Sequence, residues 1–202
     1  INGVGTCGFK QPNQKLDAGN SGTTSRLIFG AVATNPIHAI FTGDKSLSAR
    51  PMSRITNFLE DIGAKIILTK KNYLPISIQG TQNSLPLKHT ITKPSAQIKS
   101  SLMLAAINIA GQTTIIEKQA TRDHTEIMFK YLGIKFKKKT FKNGTTQIII
   151  DGPKEILAKN IHVASDPSSA AFFIVGALIT PGSNIEIKNV CLNNTRVAYI
   201  EI

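Results

Sequence analysis

Residues 20–33 read NSGTTSRLIFGAVA, residues 94–110 read PSAQIKSSLMLAAINIA, and residues 166–179 read DPSSAAFFIVGALI. Each begins with small polar residues and continues as an apolar stretch of helical length. Ser21, Ser95 and Ser168 open them, 74 and 73 residues apart. A fixed interval of that size marks an internal repeat. The segments after these helices recur as well. β-branched stretches come next (IHAIFTG, TTIIEK and NIEIKNV), then a polar turn with an arginine, at Arg50, Arg122 and Arg196. After Arg50 and Arg122 an amphipathic helix ends in FLEDIGAKI and in FKYLGIKF, with Gly63 and Gly133 as the residues that stop it. Two alternating strands complete the pattern. The second of each pair reads PISIQG and QIIIDG, ending on Gly80 and Gly152.

The repeat is helix, strand, helix, strand, strand, strand over about 73 residues, and read cyclically it is βαβαββ. The fold class is therefore α+β (α/β). The chain holds one full copy, most of another and the beginning of a third. The first helix of each copy is apolar nearly all round, so we expect it to be buried. Either the helices pack inward and the sheets outward, or the reverse. Buried helices with polar N-termini bring those termini to one end of a domain. Their free N–H groups would then gather into a common seat for anions.

Composition narrows the function. Apolar residues make up 41% of the 202, which fits a globular chain. The net charge of +12 suits nucleic acid or small polyanions. Aromatic content is 6% with no Trp, and nothing resembles an aromatic platform for bases, so we expect no nucleic-acid partner. No apolar run has membrane-spanning length and no signal-peptide pattern opens the chain, so we expect a cytoplasmic protein without a membrane partner. The first residue is Ile1 rather than Met, which suggests a sequence that begins inside a longer protein. Cys7 and Cys191 lie far apart and read as free thiols. His38, His89, His124 and His162 share no ligand spacing, so no metal is expected.

Several short motifs carry chemistry. In AGNSGTTSR, Gly22 allows close approach to the backbone and Thr23 offers a hydroxyl, with Arg26 one turn further on. The competing reading is plain helix capping. In TGDKSLSARPM, Arg50 precedes Pro51, a helix-opening residue. An arginine there opposes the helix dipole, which suits a carboxylate or phosphate contact, although a solvated surface arginine remains open. In KPSAQIKSS, Ser95 caps while Gln97 and Lys99 occupy the first turn. In TRDHTE, Asp123 or Thr121 caps, and Glu126 completes a capping box, leaving Arg122 to point at the site. GVGTCG, residues 3–8, matches G-x-G-x-x-G only formally, because no helix pattern comes after it. KFKKKTFK reads as a strand with a solvated lysine face.

Together LDAGNSGTTSRL, GDKSLSARPM, PSAQIKSSLMLA, TRDHTE, DPSSAAFF and NVCLNNTR resemble the 5-enolpyruvylshikimate-3-phosphate synthase family. They occur in the family's order across nearly the whole chain. Two positions depart from its pattern: Ser48 stands where Arg is common, and Asn194 where Pro is common. The resemblance implies an enolpyruvyl transferase-like fold of βαβαββ repeats with buried helices and outer sheets. Residues 1–164 would be most of the first, substrate-binding domain, and 165–202 the beginning of the second. It implies transfer of the carboxyvinyl group of phosphoenolpyruvate to the 5-hydroxyl of shikimate 3-phosphate, with no cofactor. The complete enzyme would be a monomer whose partners are small anions. By the family's pattern Asn20, Gly22, Arg50 and Gln97 face phosphoenolpyruvate. Ser95, Ala96, Gln97 and Arg122 hold shikimate 3-phosphate, with Thr23 and Arg26 in support. No catalytic acid or base is assigned in this chain; those groups are expected after residue 202, and Asp166 belongs to a different motif. Gly22 keeps glycine where Ala would crowd a phosphoenolpyruvate mimic such as glyphosate, which implies a sensitive enzyme.

Other readings compete. The UDP-N-acetylglucosamine enolpyruvyl transferases share the fold but carry a reactive Cys before their Arg-Pro, and TGDKSLSARPM has none. RNA 3′-phosphate cyclase-like proteins share the repeat, but no nucleotide site like theirs is visible. A non-catalytic binding module of the same fold stays open.

Overall fold

The computed structural model describes residues 2–70 and 72–200. The chain divides into two compact units: Ile1–Thr121 with Thr125–Ala158, and Arg122–His124 with Lys159–Ile202.

The first unit contains two copies of the repeat. In the first copy β1 (Leu16–Asp17) leads to α1 (Gly22–Ala33), β2 (His38–Thr42), the single turn α2 (Lys45–Ser48), α3 (Ser53–Asp61), β3 (Lys65–Lys70) and β4 (Tyr73–Gln79). The second copy runs β5 (Lys88–Ile91), α4 (Ala96–Ala106), β6 (Gly111–Glu117), α5 (His124–Leu132), β7 (Lys137–Thr140) and β8 (Thr146–Gly152). Each copy makes one four-stranded sheet, in the orders β1-β2-β4-β3 and β5-β6-β8-β7. In both, the outer pair β1–β2 or β5–β6 is parallel and the remaining pairs are antiparallel. Identical topology in two segments confirms the βαβαββ period.

Helices α1 and α4 pack against each other between the sheets, α1 on β4 and α4 on β6 and β8. Phe29, Val32 and Ala33 of α1 and Ile98, Leu102, Met103 and Ala106 of α4 are all buried. Burying each larger apolar side chain contributes about 1.5–3 kcal/mol. The helices approach closely because α1 has glycine at the crossing: a Cβ on Gly30 would stand 2.1 Å from the Ser101 carbonyl oxygen. Gly80 and Gly152 play matched parts, each passing so near the end of its own repeat's first helix that a Cβ would meet carbonyls at 2.1 and 2.4 Å. Gly63 and Gly133 do stop α3 and α5, with φ of +102° and +76°.

The helix starts differ from expectation in two places. Pro51 does not open α3, which starts at Ser53 with Met52 as a cap residue that makes no side-chain bond. Arg50 instead follows the end of α2, so the dipole argument against a structural arginine there falls away. Residues 3–8 lead into no helix, as expected of a merely formal glycine motif, and all four residues of β7 are exposed.

The second unit holds α6 (Pro167–Leu178), a parallel bridge from Ser165 to Val190, and a 3-10 turn at Ala198–Ile200. The bridge repeats the β1–β2 and β5–β6 pairing, with α6 in between. NIEIKNV forms no strand beyond Val190, because no described residue supplies the antiparallel neighbour that β4 and β8 provide. The expected opener Ser168 lies inside α6, and Asp166 is the cap. The expected burial of this helix is also overturned: Phe172 is 81% exposed and Leu178 80%.

Candidate functional site

The site grows from the two polar helix starts of the first unit. After β1 the chain turns through Gly19, at φ +54°, with the Gly19 N–H held by Asp17 Oδ1 at 2.9 Å. Ser21 then caps α1, accepting from the Thr24 N–H at 3.1 Å. This turn presents Asn20, which reaches across to the α2 segment. Its Nδ2 donates to Asp44 Oδ2 at 2.6 Å, and its Oδ1 accepts from Arg50 Nη2 at 3.0 Å. Asp44 is itself the cap of α2, accepting from the Leu47 N–H at 2.7 Å. Arg50 also donates to Ser46 Oγ at 3.1 Å. One loop therefore aims the Arg50 guanidinium, and Asn20 locks that loop to the start of α1.

The start of α4 joins the same place. Ser95 caps it by accepting from the Ile98 N–H at 3.4 Å, with Ala96 as its first residue. Gln97 spans to α1: its Nε2 donates to Thr23 Oγ1 at 2.7 Å and its Oε1 accepts from Arg26 Nη1 at 2.8 Å. Arg26 Nη2 donates to the Pro51 carbonyl at 3.4 Å. Gly22 is buried beneath this group, and a Cβ there would stand 2.8 Å from Arg26 Nη1. The freedom of Gly22 thus keeps Arg26 in place.

The electrostatics favour an anion. Neither α1 nor α4 has an acidic residue in its first turn, so neither positive helix end is neutralised from within. Burial, then the charges of Arg50 and Arg54, push Arg26 below the ordinary arginine value. Asp44 is one opposing carboxylate. The Leu47 N–H and then the Asn20 amide hold it below the usual carboxylate range, so it stays ionised. Three guanidiniums, Arg26, Arg50 and Arg54, against the carboxylates of Asp44 and Asp17 leave the site positive.

The geometry therefore brings together Asn20, Gly22, Thr23, Arg26, Arg50 and Gln97, with Ser95 and Ala96 at the start of the same helix as Gln97. Arg122 belongs to the second compact unit and is exposed. Sequence reasoning missed Asp44, Ser46 and Arg54. Asp44 was findable, since D-K-S-L is a cap followed by a short helix. Lys99, which the sequence places in the first turn of the helix, is fully buried on Glu117 and Glu126. Glu126 spends its carboxylate on Lys99 and Lys138 rather than on a capping box.

In the second unit the same motif takes a different form. Asp166 accepts from the Ser168 and Ser169 N–H groups, which hold it ionised, and Arg196 Nη2 donates to Asp166 Oδ1 at 3.4 Å and to Ser168 Oγ. An acidic cap here takes the place that Ser21 and Ser95 leave uncharged. Asn193 Nδ2 donates to Asp123 Oδ1 at 2.8 Å. Among the described residues no group of His, Cys, Asp and Glu is clustered to hold a metal, and no helix is long and apolar enough to cross a membrane.

Residues 3–202 match the family EPSP synthase (3-phosphoshikimate 1-carboxyvinyltransferase). The chain is 43% identical over 202 residues to the 3-phosphoshikimate 1-carboxyvinyltransferase of Novosphingobium aromaticivorans, covering 100% of itself and 46% of that protein. It is 45% identical over 196 residues to that of Paracoccus denitrificans, covering 97% of itself and 44% of the relative. The solved EPSP synthase of Acinetobacter baumannii superimposes with a TM-score of 0.83 at 42% identity, over 100% of this chain and 44% of that one. The chain thus spans somewhat under half the length of the relatives it matches.

Proposed function

The chain belongs to the EPSP synthase family, and we propose that it carries the phosphoenolpyruvate seat and part of the shikimate 3-phosphate seat of an enolpyruvyl transferase. Asn20, Gly22, Arg50 and Gln97 take phosphoenolpyruvate. Ser95, Ala96, Gln97 and Arg122 take shikimate 3-phosphate, and Thr23 and Arg26 hold Gln97. Residues 1–164 are most of the first domain and 165–202 the start of the second. The partners are small anions rather than nucleic acid, and the complete enzyme is a monomer.

In the reaction the 5-hydroxyl gives its proton to a base as its oxygen bonds to C2 of phosphoenolpyruvate, and an acid adds a proton to C3. The tetrahedral adduct then expels inorganic phosphate and loses a proton from C3. Each proton needs an acid or base within hydrogen-bond reach. Those groups are supplied from the part of the relatives' length that this chain does not span. This chain contributes charge complementarity and placement.

The observation that carries the reading is the Gln97 amide. It joins the two uncharged helix starts beside Arg26 and Arg50, with one end on Thr23 and the other on Arg26. Calorimetric titration of shikimate 3-phosphate into the chain tests it, with Arg122→Ala beside the wild type. Saturable heat in the wild type that vanishes in the variant is the expected result. Heat unchanged by the variant would remove Arg122 from the assignment, and no heat in either would overturn the half-site.

A further inference from the structure

Lys99 sits in the first turn of α4 with no exposed side-chain surface. Its ammonium donates to Glu126 Oε1 at 2.9 Å, Glu117 Oε2 at 3.1 Å and the Thr121 carbonyl at 3.3 Å. Glu117 uses its other oxygen to accept from Thr121 Oγ1 at 2.5 Å, and Glu126 also accepts from Lys138 Nζ at 3.3 Å. Two cations and two carboxylates balance. Buried ion clusters are weak evidence for stability, because well-packed apolar residues of similar volume serve as well or better. Such a cluster adds direction instead. Here it fixes both the carbonyl and the hydroxyl of Thr121, the residue before Arg122. The Lys99 backbone N–H bonds to the Ser95 carbonyl at 3.2 Å, so the same buried point also secures the turn that carries Ser95, Ala96 and Gln97.

We infer that Lys99 is a positioning residue for the shikimate 3-phosphate seat, acting through its own turn on Ser95 and, with Glu117, on Thr121. The inference rests on the assignment of Ser95, Ala96, Gln97 and Arg122 to that ligand. When the buried charges are removed together, a positioning role separates affinity from stability, whereas a structural role ties them together.

Two variants of the full chain test this, each titrated with shikimate 3-phosphate and melted without it. Thr121→Val removes one hydroxyl and leaves every ion pair intact. Its dissociation constant should rise at least about fivefold; the melting temperature should fall as well, because the buried Glu117 Oε1 loses its donor, so affinity is the deciding readout for this variant. Lys99→Met combined with Glu117→Gln and Glu126→Gln removes the three buried charges and leaves only Lys138, whose side chain is 35% exposed, without its carboxylate. That variant should melt at or above the wild-type temperature and bind at least tenfold more weakly. Wild-type affinity in Thr121→Val overturns the inference, and so does a triple variant that keeps its affinity. Should the triple variant fail to fold, Thr121→Val decides alone. A wild type that takes up no shikimate 3-phosphate overturns the underlying assignment and this inference with it. That result is read before any variant is made, so the two failures are told apart.

Discussion

Helices α1 and α6 carry matching residues, Phe29-Gly30-Ala31 in one and Val175-Gly176-Ala177 in the other. In α1, Phe29 is fully buried and Gly30 sits against the Ser101 carbonyl. In α6, Val175 is 54% exposed, and nothing lies within 4 Å of where a Cβ on Gly176 would be. The apolar pattern states what a helix needs covered; whether it is covered depends on another segment. For α1 that segment is α4, one repeat further along the chain. The cap chemistry differs in the same sense. Ser21 and Ser95 leave their helix ends positive, whereas Asp166 fills its own with a carboxylate and draws Arg196 onto it.

The largest effect that could break this contrast comes from truncating the aromatics. Phe29→Ala should cost about 3–5 kcal/mol in urea unfolding, from lost burial and the cavity left behind. Phe172→Ala should stay within about 0.5 kcal/mol, as exposed substitutions do. Equal losses would show that α6 is buried in solution. The glycines should differ in sign. Gly30→Ala drives a methyl into the Ser101 carbonyl and should cost about 1–3 kcal/mol. Gly176→Ala adds a methyl in open space inside a helix and should stabilise the second unit by about 0.5–1 kcal/mol. A destabilising Gly176→Ala would contradict the open surroundings of α6.

The smallest effect is a difference in pH window. Burial holds the His89 imidazole, which meets the Phe58 ring edge-on at 5.6 Å, below its ordinary value, with Asp61 opposing the shift. A lowered histidine stabilises the fold fully above about pH 6.5, and that stability is lost as pH falls through the folded value. The Asp166 carboxyl in the second unit is also lowered, so its contribution is present above about pH 3.9 and lost only below that. Melting followed from pH 7 to pH 5 should therefore weaken the first unit, and His89→Phe should flatten that decline. A decline unchanged in His89→Phe would assign it to other groups.

The features legible in the sequence were local ones. Ser21 and Ser95 were readable as caps because a cap and its partner lie three residues apart. Gly63 and Gly133 were readable because a helix stop is chemistry of one residue, and the repeat because two copies make the same local choices. Gln97 stood out as a polar group in the first turn of a helix, whereas Arg50 was singled out for a helix start that lies three residues further on. The burial of Lys99 was not legible because its partners Glu117 and Glu126 lie 18 and 27 residues away. Helical periodicity does not register a carboxylate on another element. Pro51 misled because a favourable first residue does not oblige the helix to begin there. The apolar pattern of α6 alone could not show its exposure, because cover is a property of the neighbour.

Gln97 takes both its partners, Thr23 and Arg26, from the helix of the preceding repeat. Neither copy owns the site. A chain with one repeat would have a capped helix start and a loose arginine, with no amide to set their spacing. The seam along which these residues meet exists only where two copies of the repeat are joined, so the spacing of its polar groups is set by the packing of one copy on the other.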